Sequence, residues 1–115
     1  MEGLKFSYLN PQRTLEDFVE AIPESGKTQR DRAITMSSLL INTAEGLTDQ
    51  VRSNGLGWHD DRKMKHTLEI GNTYLNLTAT PALRTLYTNQ FVGSVKLSDA
   101  EWTKTRELAK NYLFD

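Results

Sequence analysis

Two short stretches of this 115-residue chain place chemically capable side chains at suggestive spacing. The first is AIPESGKT, Ala21 to Thr28, which fits the permissive phosphate-loop pattern of a small residue, four arbitrary ones and then Gly-Lys-Thr. In such a loop the backbone amides wrap the phosphates, the Lys reaches them and the Thr hydroxyl helps to hold magnesium. That chemistry needs a buried strand to deliver the loop and a helix to follow it. Only the helix is expected here. The preceding LEDFVE has helical spacing and carries Glu16, Asp17 and Glu20, which would repel a triphosphate. Pro23 removes one amide from the cradle, and no apolar strand downstream ends in an Asp for magnesium. Pro23 to Gly26 therefore reads as a turn between helices, with Ser25 or Thr28 capping the second.

The second stretch is WHDDRKMKH, Trp58 to His66, which holds both histidines of the chain, two aspartates and a run of cations. Histidines that chelate a metal from one helix stand one turn apart, whereas two turns separate His59 from His66 by about 10.5 Å. Arg62 and Lys63 lie between them and oppose a divalent ion. Neither a metal nor a cofactor is expected, and Asp60 and Asp61 read as first-turn residues that complement the helix dipole. Arg52 and His59 stand at a separation that a helical ribonuclease pair would use, but Asn54-Gly55-Leu56-Gly57 interrupts the helix that would have to hold them. Thr35, Ser37, Ser38 and Thr43 have no base at a local spacing that would activate a hydroxyl. Absence of cysteine removes thiolate nucleophiles, disulfides and Cys-based zinc sites. No catalytic residue is assigned.

Protein binding is the remaining use of the second stretch. Trp58 sits in a glycine-flanked loop just ahead of a charged helix start, and interfaces draw heavily on Trp and Arg anchors. We expect Trp58, His59, Arg62, Lys63 and His66 to form a partner-binding surface of a non-enzymatic inhibitor, adaptor or immunity-type factor that occludes a partner protein. The alternative partner is nucleic acid, contacted by a local basic patch of Arg62, Lys63, Lys65 and His66. A second basic cluster, Lys27, Arg30 and Arg32, stands about 30 Å away along the second helix if that helix runs antiparallel to the third, so the two need not merge. The net charge of −1 gives no global preference for an anionic partner.

The elements that must position these residues read as helices. One domain over 1–115 is expected from the length, with 37% hydrophobic and 25% charged residues typical of a globular chain. Leu4, Phe6 and Tyr8 alternate as in a short strand. Leu15 to Ile22 forms a first helix capped near Thr14. A long second helix from Lys27 to Ser53 carries Ala33, Met36, Leu40, Ala44, Leu47 and Val51, widened by Ile34 and Ile41, so it must pack on more than one neighbour or serve a homodimer. Asp60 or Asp61 caps a third helix, antiparallel to the second, and Thr80-Pro81 opens a fourth. FVGSVKL would pair with the strand at Leu4 to Leu9 as a two-stranded β ribbon. Ser98-Asp99-Ala100-Glu101 is a capping box for a last helix bearing Trp102 and Leu108. The fold class is thus mostly α, with four to five helices and a long antiparallel hairpin. No signal peptide or membrane-length apolar run is evident, which points to a cytoplasmic protein with no membrane partner.

Overall fold

The computed structural model describes residues 1–76 and 86–113, and among them six α-helices and no strand. The mostly helical class is as expected; several boundaries are not. Helix α1 spans Glu2–Leu9, where the alternation of Leu4, Phe6 and Tyr8 predicts a strand. Six residues satisfy a period of two and a period of four equally well, and here Tyr8 decides: it is buried with Leu47, Leu56 and Trp102, and its helix is tethered by an ion pair of Lys5 with Glu101. Helix α2, Pro11–Ala21, starts four residues earlier than Leu15 because Pro11 is preset for the first helical position. Thr14 does not cap it; its hydroxyl donates to the Asn10 carbonyl.

The AIPESGKT stretch becomes the end of α2, a 3₁₀ turn at Pro23–Gly26 and the cap of α3. Lys27 is held by the Glu24 carboxylate at 2.9 Å. Thr28 caps α3, Gln29–Gly46, in a reciprocal capping box with Asp31. The expected helix from Lys27 to Ser53 is broken after Gly46. Tyr8 lies so close to Gly46 that no side chain fits between them, and Thr48 accepts a hydrogen bond from the Val51 amide to start α4, Asp49–Asn54.

Helix α5, Asp61–Tyr74, is capped by Asp60 as expected. The antiparallel hairpin of α3 with α5 is not found: α3 packs chiefly on α2, the 3₁₀ turn and, more lightly, the C-terminal helix α6, Asp99–Leu108, and the 3₁₀ turn that comes after it. The fourth helix expected from Pro81 falls largely outside the described residues, and residues 86–91 are not helical. The β ribbon is also absent among the described residues. The segment around Val95 runs against the loop after α4 instead, where the Leu56 amide donates to the Val95 carbonyl at 3.0 Å.

Helix α6 opens with the Ser98–Glu101 capping box and delivers Trp102, Thr105 and Ala109 into the interior, while Leu108 stays partly exposed. The core is small. Tyr8, Leu47, Leu56 and Trp102 form it, flanked by Val51, Val95, Leu97 and Leu113.

Candidate functional site

Position 55 is where the backbone does what only glycine permits cheaply. Gly55 has φ 109° and Gly57 φ 85°, both in the left-handed region, so α4 ends abruptly and the chain turns back before α5. A Cβ at Gly55 would lie 2.9 Å from the Gly93 Cα, and one at Gly57 would strike the Met1 side chain. This double turn buries Leu56 almost completely and leaves Trp58 half-buried at the surface.

A segment from further along the chain clamps the residue next to Trp58. Asn89 grips the backbone of His59 with both ends of its amide: the His59 N–H donates to Asn89 Oδ1 at 2.9 Å, and Asn89 Nδ2 donates to the His59 carbonyl at 2.9 Å. The His59 ring lies 5.3 Å from that of Tyr87. Asp60 accepts from the Arg62 amide at 2.8 Å and lies 3.6 Å from the Arg62 guanidinium. That amide, then the amide of Lys63 and the positive charge of Arg62, hold the Asp60 carboxyl below its usual range against the opposing effect of desolvation.

Two clefts meet at Trp58. The first, about 330 Å³, lies between α1, the end of α3 and the start of α5, with walls that include Leu4, Leu56, Trp58 and Met64. Tyr8, Gly46 and Lys63 also line it. Tyr8 is only 7% exposed, yet its hydroxyl makes no hydrogen bond among the described residues, and burial pushes its pKa up. The second, about 560 Å³ and more open, is lined by Gln50, Trp58, His59, Arg62 and Asn89 among others.

The structure therefore gathers Trp58, His59 and Lys63 round one cleft and Trp58, His59 and Arg62 round the other. His66 lines neither; it is exposed, one turn from Glu69 and 3.9 Å from its carboxylate. Sequence reasoning misses Tyr8 and Asn89 as site residues. The alternation near the amino terminus puts Tyr8 on a strand, and nothing local in the sequence marks Asn89 as the clamp of a loop thirty residues away.

The cations do not form one continuous field. Lys27 is paired with Glu24, Arg32 with Glu16 and Arg62 with Asp60, while Lys63, Lys65 and Arg30 have no ion pair among the described residues. Arg52 is held elsewhere, bonded to Asp99 and stacked over Trp102 at 5.3 Å. Among the described residues no group of three or more His, Asp or Glu side chains could hold a metal, and no helix is long and apolar enough to cross a membrane. No family model, curated protein or solved structure matches the chain.

Proposed function

We propose that this is a non-enzymatic interaction module that captures another protein through the Trp58 surface and acts by occluding part of that partner. The observation that carries the reading is the 330 Å³ cleft beside Trp58, with apolar walls from Leu4, Val51, Leu56, Trp58 and Met64 and polar groups of Glu45, His59, Asp60 and Lys63 round them; Tyr8 also lines it, and its hydroxyl has no partner among the described residues. Its volume is at the low end for small-molecule pockets, a size that suits one bulky side chain. The occupant is an apolar anchor residue of the partner, whose neighbouring carbonyl accepts from Tyr8 or from Lys63 at the rim. Trp58 is the wall, and Arg62, exposed on the adjoining cleft, adds charge at the edge. Anchor-in-pocket contacts with a polar rim are how small interfaces concentrate their affinity.

Affinity capture from lysate of the native cell, run with wild type, Arg62→Glu and Trp58→Ala/Arg62→Glu, tests this. A stoichiometric protein is expected to survive nuclease and to be lost with the double variant, while helical circular dichroism is unchanged. Nucleic acid in the eluate, with every protein lost on digestion, would overturn the reading. So would a steep fall of affinity between low and moderate salt, the mark of phosphate contacts. A melting midpoint lowered by many degrees in the double variant would show Trp58 to be a core residue.

A further inference from the structure

Helix α3 is apolar on two sides, and the fold uses only one. Toward the interior it turns Leu39, Leu40 and Thr43. On the opposite side Arg30, Ile34, Ser38, Ile41 and Glu45 succeed one another at steps of four, four, three and four residues, which is one stripe along a helix, and all five are exposed. Ile34 is 55% exposed and Ile41 40%, with Phe18 of α2 beside them at 41%. A groove of about 320 Å³ flanks the Ile34 and Ser38 part of this stripe on the α2 side, lined by Phe18, Ile34, Thr35, Ser38, Leu39 and Asn42. A solvated helix face is normally polar.

The stripe is also self-complementary. Ile34 and Ile41 are equally distant from the midpoint between Ser37 and Ser38, and so are Arg30 and Glu45. We propose that α3 packs antiparallel on α3 of a second copy about a two-fold axis at Ser37–Ser38. Each Ile34 then meets Ile41 of the partner subunit at the mouth of the groove, and each Arg30 meets Glu45 of the partner subunit. Ser38 is exposed and small at the axis, while Ser37 is half-buried and accepts from the Tyr112 hydroxyl at 3.0 Å, which puts Tyr112 at the edge of the contact.

A further observation favours a second copy over any other occupant. Arg30 lies in the first turn of α3 and Glu45 in the last, the unfavourable ends for their own helix dipole, and neither has an ion pair among the described residues of its own chain. An antiparallel partner brings the opposite charge, and the opposite end of a dipole, to each.

Ile34, Ile41 and Arg30 lie apart from the Trp58 cleft, although Glu45 lines it, so the test reads self-association of the purified chain with no partner present. Sedimentation equilibrium of the full chain over a concentration series is expected to give twice 13.1 kDa. Ile41→Glu, at an exposed position, is expected to give a folded monomer. Arg30→Glu alone and Glu45→Arg alone each oppose like charges twice across the axis and should weaken association about tenfold. Mixing those two variants, or combining both changes in one chain, restores opposite charges at both contacts and should restore the dimer. A wild-type monomer at 100 µM or so overturns the proposal. So does a dimer indifferent to Ile41→Glu, or one that the charge exchange fails to rescue.

Discussion

Gly55 is the residue on which the Trp58 surface turns. Its φ of 109° is costly for any L side chain, and the approach of Gly93 leaves no room for one. Gly55→Ala is expected to lose about 2–4 kcal/mol of stability, because both the left-handed strain and a clash with backbone atoms apply. Gly3→Ala is the control: nothing lies within 4 Å of its added methyl, and in α1 it should be neutral or stabilise by up to about 1 kcal/mol. Thermal melts of the two variants side by side check the pair. Glu16, Asp60 and Glu101 are each held below the usual carboxylate range, Glu16 by Arg32, Asp60 by the Arg62 amide, and Glu101 by the Ser98 amide. The unfolded chain then binds protons that the folded chain resists. Their contribution is full above the ordinary values of 3.8 to 4.5 and is lost as pH falls through the lower folded values. Denaturant midpoints should therefore hold steady from pH 7 to about 5 and decline below about 4.5. Chemistry at this scale is partly legible in the letters. Trp58, His59 and Lys63 do meet at one cleft, but Tyr8, which also lines it, comes from fifty residues away in sequence, beyond the reach of any local pattern.

At the scale of elements, the readable features are local. The Ser98–Glu101 box needs only four neighbouring residues, and it forms as expected. Thr28 caps α3 in the same way through Asp31. Either cap removed, as Thr28→Ala or Ser98→Ala, should lower stability by about 1 kcal/mol. The Ser98 change should register in full, since α6 carries Trp102, Thr105 and Ala109 into the core; urea titration with an unchanged slope is the measure. The unreadable features depend on packing between elements. The helical identity of residues 2–9 comes from where Tyr8 is buried, and the break between α3 and α4 from the fit of Gly46 against it. The width of the apolar stripe on α3 is visible in the sequence. Which of its sides faces inward is not, because Ile34 and Ile41 are as apolar as Leu39 and Leu40.

The whole molecule is more open than its length requires. Its radius of gyration is 16.4 Å, against about 13 Å for a compact chain of this size. A small core and a large surface belong together: Tyr8, Leu47, Leu56 and Trp102 cannot draw every helix inward, and α5 has no extensive packing on any other described helix. The grip of Asn89 on His59 takes on a kinetic meaning in that setting. It closes a long loop, and such a closure repays its entropy only after the local helices and their core exist. Residues 58–60 are thus expected to settle last during folding and to come loose first, through an opening that leaves α3 and α6 in place. Hydrogen exchange at the His59 amide, whose N–H donates to Asn89, then reads how often that clasp opens, and it is expected to be faster than exchange within α3 and α6.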